Sequence, residues 1–351
     1  MDLQPIINLI DICARHGLKQ AIISPGSRNA PLTIALARNE DIKCRSVSDE
    51  RSAGFIGLGL ALGSGKPTIL CCTSGSASLN YAPAVAEAYF QQVPLLILTA
   101  DRPPEWIDQL DGQTIRQNEV YGKHVKRSFS LPVDLSESNA EKHAYRIMNE
   151  AINCACQYPA GPVHINIPFR EPFYPETSHE LNPDPNIKII KESEPAQKSV
   201  NWNYLKEKWN TYTRKVIVGG QSRLDSEISS YLEVLYKKHK IPVIGDVISN
   251  LHTIDEVISH ADLFLYGQKK GLQESLKPDL LVTFGLSTIS KNLKLFLREY
   301  GPIEHWHLQV AGDTPDTYQS LTQVIRTDPS SFFKYLVNEN RYTEGESIAV
   351  I

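Results

Sequence analysis

Residues 1–172 alternate short apolar runs with helical patterns, and this alternation restricts the fold more than any other feature of the chain. Residues 95–98, for example, read Leu-Leu-Ile-Leu, so both faces of that strand are apolar. Strands of this kind, separated by helices, are typical of a parallel sheet that is covered on both sides. The pattern predicts strands at residues 20–24, 42–47, 67–73, 94–99, 127–131 and 163–167, and helices at residues 6–16, 30–38, 50–62, 77–91 and 139–157. We therefore expect a doubly wound α/β domain in this part of the chain.

Residues 173–200 interrupt the alternation, because prolines recur there among charged and polar residues. Such a composition is typical of an interdomain linker. Strand and helix patterns then resume and predict a second doubly wound α/β domain over residues 201–340. Its expected strands are residues 215–220, 242–245, 280–284 and 304–309, and its expected helices are residues 226–238, 291–300 and 331–338. We expect residues 341–351 to be a tail or the start of another linker.

The bulk composition excludes several classes of protein. The formal net charge of the 351 residues is −4 and no basic stripe is present, which argues against nucleic-acid binding through phosphate contacts. The N-terminus lacks a secretory-signal pattern, and no apolar run reaches the ~18 residues of a membrane span. The six cysteines include no Cys-x-x-Cys pair, so we expect reduced thiols, no metal site built from them, and a cytoplasmic protein.

Polar residues follow four of the predicted strands, at the points where those strands end. They are residues 24–29, 48–51, 72–77 and 99–104, and three of these segments carry an arginine. Ligands of doubly wound sheets bind outside the carboxyl ends of the strands, which meet at one edge. The sequence therefore predicts one pocket at this edge that receives an anion, since guanidinium groups bind carboxylates and phosphates.

Five motifs occur in a fixed order in the first domain: Pro25-Gly26-Ser27-Arg28, Asp49-Glu50-Arg51, Thr73-Ser74-Gly75, Thr99-Ala100-Asp101-Arg102-Pro103-Pro104-Glu105 and Ile115-Arg116-Gln117. With them, the chain resembles the 2-succinyl-5-enolpyruvyl-6-hydroxy-3-cyclohexene-1-carboxylate synthases, thiamine-diphosphate enzymes of menaquinone and phylloquinone synthesis. The resemblance covers nearly the whole chain and is weaker in residues 242–247 and 285–291. It implies an aminopyrimidine-binding domain at residues 1–172 and a central Rossmann-like domain at residues 201–340.

The resemblance also implies which residues contact the cofactor, thiamine diphosphate. Glu50 matches the glutamate that binds the N1′ nitrogen of the aminopyrimidine and favours the tautomer that deprotonates thiazolium C2. Thr73, Ser74 and Gly75 would line the cofactor pocket. Two simpler interpretations stay open. An acidic residue in the first turn of a helix is favoured by the helix dipole, and a Thr-Ser-Gly segment can be an N-cap with a tight turn.

Arg28 and Arg102 resemble the arginines that receive the carboxylate of the second substrate, isochorismate. A guanidinium offers two parallel donors to a carboxylate, although an ordinary ion pair is the alternative for either arginine. Ser27 and Gln113 match positions near the same substrate, whereas Gly112 stands where other members carry asparagine. The resemblance therefore implies a substrate site that makes one polar contact fewer than the site of those other members.

Three further residues lie in segments that the resemblance covers. Lys291, in the second domain, matches a lysine that points toward the active-site cleft and would contact substrate. Arg116 and Gln117 lie within a matched motif, but neither the residue pattern nor the resemblance assigns them a role.

The diphosphate of the cofactor and its Mg²⁺ need ligands of their own, in a Gly-Asp motif that is followed at a distance by asparagine. Gly245-Asp246 has no asparagine at that distance, and Gly312-Asp313 precedes Asn338 and Asn340 without an intervening strand–helix unit. The resemblance places these ligands in a further C-terminal α/β domain of about 150 residues. We therefore expect this chain to be an incomplete fragment that is inactive and binds the cofactor poorly.

When full length, the protein is implied to be a transferase that decarboxylates 2-oxoglutarate and adds the resulting succinyl carbanion to isochorismate. The full-length enzyme is also implied to be a homodimer or a dimer of dimers. Another thiamine-diphosphate enzyme, such as an acetohydroxyacid synthase or a 2-oxoacid decarboxylase, would share Glu50 but not the paired arginines. A nucleotide-binding regulatory module is the alternative of a different class, because residues 216–220 resemble a dinucleotide-binding start that lacks the G-x-G-x-x-G fingerprint.

Overall fold

The structure is a computed structural model, and it describes residues 3–174, 182–193, 200–267 and 270–339. The chain falls into two compact units, Met1–Glu194 (unit 1) and Pro195–Ile351 (unit 2). Within the described ranges, every helix is too short or too polar to span a bilayer. The predicted tail at residues 341–351 lies outside these ranges.

Unit 1 is built on a six-stranded sheet in which all strands are parallel, in the order β2-β1-β3-β4-β6-β5. The strands are β1 (Gln20–Ile23), β2 (Lys43–Ser46), β3 (Thr68–Cys72), β4 (Leu95–Asp101), β5 (Arg127–Ser130) and β6 (Val163–Pro168). The helices are α1 (Gln4–Arg15), α2 (Ala30–Arg38), α3 (Glu50–Ser64), α4 (Ser76–Asn80), α5 (Ala82–Phe90) and α6 (Ser138–Cys156), with short 3₁₀ turns at Pro104–Trp106 and Gly122–His124. The predicted doubly wound fold is confirmed for this unit.

The two faces of the sheet are covered by different helices, and strand β4 shows why its sequence is apolar throughout. Leu96 and Leu98 pack into a core with α1, α2 and α6, whereas Leu95 and Ile97 pack into a second core with α3 and α5. All four side chains are fully buried. Successive residues of a strand point to opposite faces, so a strand covered on both sides needs apolar residues at every position.

The helix predicted at residues 77–91 is wrong as a single element. The structure has two helices there, since α4 ends at Asn80 and α5 begins at Ala82. Pro83 lies in the first turn of α5. Proline lacks a backbone N–H and its ring clashes with the preceding helical turn, so it fits at the beginning of a helix and not in its interior.

Part of the predicted linker packs on unit 1. Ile187 is buried in the core formed with α1, α2 and α6, and its carbonyl oxygen accepts a hydrogen bond from Arg15 Nη1 over 3.0 Å. The N–H of Ile190 donates to Asn149 Oδ1 over 2.7 Å. Residues 182–193 are therefore part of unit 1, while residues 175–181 and 194–199 lie outside the described residues. The exact domain limits stay predictions.

Unit 2 has a five-stranded parallel sheet in the order β11-β10-β9-β7-β8, which confirms the second predicted α/β fold. Its strands are β7 (Lys215–Gly219), β8 (Val243–Gly245), β9 (Leu280–Phe284), β10 (Glu304–Leu308) and β11 (Gln323–Ile325). Its helices are α7 (Trp202–Thr211), α8 (Ser226–His239), α9 (Ala261–Leu265), α10 (Lys270–Ser275), α11 (Lys291–Glu299) and α12 (Pro329–Glu339), with a 3₁₀ turn at Val247–Ser249.

Four of these elements were not predicted from the sequence. Strand β11 and helices α9 and α10 have three to six residues, which is too short to display a periodic pattern. Helix α7 is longer, but only Leu205 and Trp209 are buried among its polar residues. Its start is fixed by Asn201, whose side chain accepts a hydrogen bond from the N–H of Tyr204 over 3.1 Å.

Candidate functional site

The polar segments noted in the sequence lie at one edge of the unit 1 sheet. Strands β2, β1, β3 and β4 are neighbours in that order and are parallel, so their carboxyl ends meet there. The segments that follow these strands contain Glu50 after β2, Ser27 and Arg28 after β1, the turn of residues 73–75 (the Gly75 turn) after β3, and Arg102 after β4. The topology thus places most of the predicted site residues at a single sheet edge.

The Gly75 turn is packed so closely that glycine is required at two positions. Gly75 has a φ of +83°, and a Cβ there would lie 2.9 Å from the carbonyl oxygen of Gln113. A Cβ on Gly26 would lie 2.5 Å from the Cβ of Thr73. Ser74 Oγ donates to the carbonyl oxygen of Gln113 over 3.1 Å. The turn is therefore held between the segment after β1 and the loop that carries Gln113.

A buried amide, Gln117, ties the Gly75 turn to the sheet. Its Oε1 accepts a hydrogen bond from the N–H of Gly75 over 3.1 Å. Its Nε2 donates to the carbonyl oxygen of Ala100 and to Asn166 Oδ1, over 2.9 Å in each case. The side chain is 1% exposed, so these partners replace the water that an amide would otherwise bind. Gln117 thus connects the turn to the ends of β4 and β6.

The same network fixes the backbone at Arg102. Asn166 Nδ2 donates to Asp101 Oδ2 over 2.8 Å, and Asp101 Oδ1 accepts the N–H of Arg102 over 2.8 Å. Burial raises the pKa of the Asp101 carboxyl, while the hydrogen bond from Asn166 opposes that change. Thr99 Oγ1 donates to Asn166 Oδ1 and lies 2.7 Å from Nε2 of His164. Burial lowers the pKa of the His164 imidazole to about 3. The network therefore contains a neutral imidazole at one end and a carboxylate near the site.

The guanidinium group of Arg102 lies at the surface end of this network, with its side chain 14% exposed. Its Nε donates to Asp111 Oδ2 over 2.5 Å, and its Nη2 donates to the carbonyl oxygen of Gly112 over 2.5 Å. Its Nη1 donates to Ser74 Oγ over 3.3 Å. Arg102 therefore contacts both the Gly75 turn and the loop that contains Asp111.

Arg28 is buried and held by the segment that follows β6. Its Nη1 donates to the carbonyl oxygen of Phe169 over 2.6 Å, and its guanidinium carbon lies 4.7 Å from the centre of the Phe173 ring. Its Nε has no hydrogen-bond partner among the described residues, and Glu171 lies 3.9 Å from its Nη2. Burial lowers the pKa of Arg28, and the positive charge of Arg102 lowers it further. Two guanidinium groups thus repel each other at this edge, an arrangement that favours an anion beside them.

Helix α3 approaches the sheet closely because small residues line its inner face. A Cβ on Gly57 would lie 2.4 Å from Cδ2 of Leu70 in β3, and a Cβ on Gly54 would lie 2.9 Å from the Cβ of Ala84 in α5. Side chains at either position would push the helix away. The two glycines therefore bring the N-terminus of α3 close to the end of β3.

Glu50 occupies the first position of α3 and is half-buried. Asp49 caps the helix, since its carboxylate accepts a hydrogen bond from the N–H of Ser52 over 3.3 Å. Glu50 Oε2 accepts a hydrogen bond from Asn80 Nδ2 over 3.4 Å, which links it to the helix that follows the Gly75 turn. Its charge is one of the causes that raise the pKa of buried Cys72, after burial and Cys71. Glu50 thus contacts the end of the helix that follows the Gly75 turn.

Lys291 belongs to unit 2, where it is exposed at the first position of α11. Ser290 caps this helix, since its Oγ accepts the N–H of Leu293 over 3.1 Å. Asp246 Oδ2 accepts the N–H of Ile289, just before the helix, over 2.5 Å. Asp246 is the aspartate of the Gly245-Asp246 motif, so one of its oxygens is already used within the fold. The substrate contact predicted for Lys291 stays a prediction.

The contacts connect Arg102, Ser74 and Gln113 around the Gly75 turn, and connect Glu50 to Asn80 in the helix that follows this turn. Arg28 contacts Phe169 and Phe173 at the same sheet edge and is repelled by the charge of Arg102. Ser27 is exposed next to Arg28. That all of them bind one cofactor and one substrate stays a prediction. Sequence reasoning quoted Asp101 and Gln117 within matched motifs but assigned them no role, and it did not single out Asn166 or Asp111. The one available signal was the presence of polar residues inside apolar strands, such as Asn166 in β6.

Two protein families match the chain, and they match it in the two units separately. Residues 8–124 match the family described as "Thiamine pyrophosphate enzyme, N-terminal TPP binding domain". Residues 186–344 match the family described as "Middle domain of thiamine pyrophosphate". The chain contains the N-terminal and middle domains of thiamine pyrophosphate enzymes. The candidate site lies in the matched N-terminal domain of this enzyme family, where cofactor binding is expected.

Several curated proteins resemble the chain over most of its length, and each is named 2-succinyl-5-enolpyruvyl-6-hydroxy-3-cyclohexene-1-carboxylate synthase. The protein of Cytophaga hutchinsonii is 45% identical over 332 residues, which is 94% of this chain and 58% of that protein. The protein of Phocaeicola vulgatus is 40% identical over 335 residues, or 95% of this chain and 59% of that protein. The protein of Flavobacterium johnsoniae is 40% identical over 345 residues, or 98% of this chain and 61% of that protein. The chain thus spans about three fifths of the length of these relatives.

Proposed function

We propose that the chain forms the aminopyrimidine-binding and central domains of a decarboxylating carboligase that joins a succinyl unit from 2-oxoglutarate to isochorismate. The observation that carries this proposal is the presence of two arginines at one sheet edge of a thiamine pyrophosphate enzyme domain: Arg102 contacts the Gly75 turn, and Arg28 is repelled by the charge of Arg102. The names of the relatives support the same reaction. Because the chain spans only part of those relatives, the reaction is proposed for the protein in the full-length form that the cell makes.

Glu50 is the residue proposed to act on the cofactor. Thiamine diphosphate, when bound, supplies a nucleophilic carbon at C2 of its thiazolium ring. The half-buried carboxyl of Glu50 would hold a proton at N1′ of the aminopyrimidine ring and thereby favour the tautomer that accepts the C2 proton. Asn80 orients this carboxyl through its hydrogen bond to Oε2. The glycine at position 75 lets the turn pack against Gln113, and Thr73, Ser74 and Gly75 are proposed to contact the cofactor.

The paired arginines are proposed to bind the carboxylate of isochorismate. A carboxylate between Arg28 and Arg102 would neutralise two like charges that now repel each other. Ser27 and Gln113 are proposed to contact the same substrate, and Lys291 to reach it from the second domain. A 2-oxoacid decarboxylase that releases an aldehyde has no acceptor carboxylate to bind, so two arginines at this edge favour a reaction whose acceptor carries one.

The ligands of Mg²⁺ and of the diphosphate are proposed to lie outside the residues described here. Asp246 Oδ2 already accepts the N–H groups of Ile289 and Ser290, so it serves to hold the segment that precedes α11. The 351-residue chain should therefore bind thiamine diphosphate and Mg²⁺ weakly by itself. Micromolar affinity in a calorimetric titration of this chain would contradict that expectation.

A homodimer and a cytoplasmic location are also part of the proposal. Helix α3, which begins at Glu50, exposes Phe55, Ile56 and Leu62, and large apolar side chains exposed on one helix are typical of an interface. A second copy of the chain is the proposed occupant. All six cysteines are free thiols, as is usual in a reducing compartment.

Product analysis tests the proposed reaction. The full-length protein would be incubated with thiamine diphosphate, Mg²⁺ and either 2-oxoglutarate with isochorismate or pyruvate alone, and the products identified by mass spectrometry. We expect a succinyl adduct of isochorismate from the first mixture only, and loss of that adduct in the Arg102→Gln variant. A product from pyruvate, with none from isochorismate, would instead assign the chain to another carboligase or decarboxylase of the family.

A further inference from the structure

The edge of Arg102 that fits a carboxylate is already occupied within unit 1. A guanidinium binds a carboxylate side-on through Nε and one terminal nitrogen. In Arg102, Nε donates to the carboxylate of Asp111 and Nη2 donates to the carbonyl oxygen of Gly112, each over 2.5 Å. A substrate carboxylate can take this edge only if Asp111 and Gly112 leave it.

The loop that carries Asp111, residues 107–114, is built to be displaced at low cost. Asp108, Leu110 and Gln113 have φ values of 62°, 63° and 60°, which place three non-glycine residues in the left-handed region. This conformation costs free energy for any residue with a Cβ. Leu110 is fully exposed, so its side chain contributes no burial that would offset the cost. The polar contacts of the loop with Arg102 and Ser74 therefore hold it in a strained conformation.

We propose that Asp111 is a carboxylate placeholder that occupies Arg102 while the acceptor site is empty and is displaced by the carboxylate of the acceptor. This role depends on the acceptor site proposed above for Arg28 and Arg102. In this role, Asp111 sets how strongly the site selects an anionic acceptor. Loop 107–114 is the segment that moves.

Charge balance explains why an exchange of carboxylates is favoured. Arg28 and Arg102 carry like charges at one sheet edge, and Arg28 is buried. In the empty site the carboxylate of Asp111, whose side chain is 37% exposed, offsets part of that charge. Replacing one carboxylate by another leaves the charge at the arginines unchanged, and the released Asp111 becomes hydrated in the solvent. A neutral ligand cannot make this exchange, because it would leave Arg102 without the carboxylate that its guanidinium contacts.

Two matched variants of the same loop test the role of Asp111. Asp111→Asn removes the charge that engages Arg102, whereas Asp108→Asn removes a charge of the same type that pairs with Arg116, an exposed residue of unassigned role. The probes are cyclohex-1-ene-1-carboxylate and its carboxamide, titrated into the 351-residue chain and followed by amide chemical shifts of residues 107–114. A thermal melt of each variant checks that the fold is retained.

We expect Asp111→Asn to bind the carboxylate about fivefold more tightly than the unchanged chain, because a partly buried ion pair no longer competes. Asp108→Asn should bind it with unchanged affinity, and the carboxamide should bind weakly to all three proteins. Arg102→Gln should lose most of the carboxylate affinity.

The possible failures are distinguishable. If the unchanged chain and Asp111→Asn bind the carboxylate equally, and Arg102→Gln does not bind it, the acceptor site stands and the placeholder role is overturned. If carboxylate binding does not depend on Arg102 in any variant, both the proposed acceptor site and the placeholder role are overturned.

Discussion

The backbone N–H of Gly75 donates a 3.1 Å hydrogen bond to the side-chain Oε1 of Gln117, a residue 42 positions later in the chain. This bond joins the turn after β3 to an amide that also contacts the ends of β4 and β6. The turn proposed to face the cofactor is therefore held by a buried side chain that itself faces the sheet. Its position depends on a residue that makes no proposed contact with any ligand.

Replacing Gln117 with alanine should destabilise unit 1 and release the Gly75 turn. The change leaves the N–H of Gly75 and the carbonyl oxygen of Ala100 without these partners in a buried place, and each such loss costs about 1–3 kcal/mol. We expect the free energy of unfolding to fall by about 2–4 kcal/mol in urea titrations. Gln109→Ala, on the exposed loop, is the control and should change it by less than about 0.5 kcal/mol. Equal stability of the two variants would show that the network contributes nothing.

Glycine-to-alanine substitutions at two sites should change the free energy of unfolding in opposite directions. Gly75→Ala forces a Cβ into the left-handed region and to within 2.9 Å of the Gln113 carbonyl oxygen, so it should destabilise by at least about 1–2 kcal/mol. Gly63→Ala lies in helix α3 with nothing within 4 Å of its Cβ, so it should stabilise by about 0.5–1 kcal/mol. Thermal melting of both variants measures the difference. Stabilisation by Gly75→Ala would mean that the turn has another conformation.

Much of the fold could be predicted from the sequence because most strands carry their own signal, although the three-residue strand β11 does not. Residues 95–98 are apolar on both faces, and that local property already implies a covered parallel strand. The break between α4 and α5 could also have been read from Pro83, whose restriction is local. The order of the strands in each sheet has no such local signal, because it depends on which helices pack together.

The site was predictable only in part, for a similar reason. Glu50, Arg28 and Arg102 each follow a strand, so the sequence places them at one sheet edge. The supporting network depends on register: Thr99 pairs with Asn166 across β4 and β6, and no pattern along the chain brings these two residues together. Asp111 was missed because the residues of its loop with positive φ, Asp108, Leu110 and Gln113, are not glycines, so the sequence does not mark the left-handed conformation.

Acid should destabilise unit 2 through two buried histidines. His305 and His307 lie 2.9 Å and 2.8 Å from Thr283 Oγ1, and burial lowers the pKa of each imidazole to about 4. The folded-state pKa is below the unfolded value of about 6.5, so the unfolded state binds more protons between these pH values. The free energy of unfolding should therefore fall as the pH falls from about 6.5 to 4, by on the order of 3 kcal/mol per histidine.

Fluorescence of the buried tryptophans of unit 2 would follow this transition in urea at pH 7 and pH 5. The double variant His305→Gln, His307→Gln should show a smaller loss of stability between the two pH values. If the double variant loses as much stability as the unchanged chain, the two histidines are not the cause.

A lysine at position 28 should weaken acceptor binding while the positive charge is kept. Arg28 is held by the Phe169 carbonyl oxygen and by stacking on Phe173, and lysine offers neither the planar group nor two parallel donors. In the full-length protein we expect KM for isochorismate to rise about tenfold, with KM for 2-oxoglutarate nearly unchanged. Arg116→Lys is the control, since Arg116 is 83% exposed and pairs with Asp108. An equal rise in both KM values would argue against a role in acceptor binding.

One measurement decides whether Glu50 activates the cofactor. It is the rate at which the thiazolium C2 proton of thiamine diphosphate exchanges for deuterium, followed by NMR on the full-length protein with Mg²⁺. Glu50→Gln should slow this exchange by about 100-fold or more at saturating cofactor, because the amide cannot favour the required tautomer. Glu40→Gln, at an exposed position, should leave the rate unchanged. Exchange in Glu50→Gln at the rate of the unchanged protein would contradict the assignment of Glu50, and with it the proposed cofactor site.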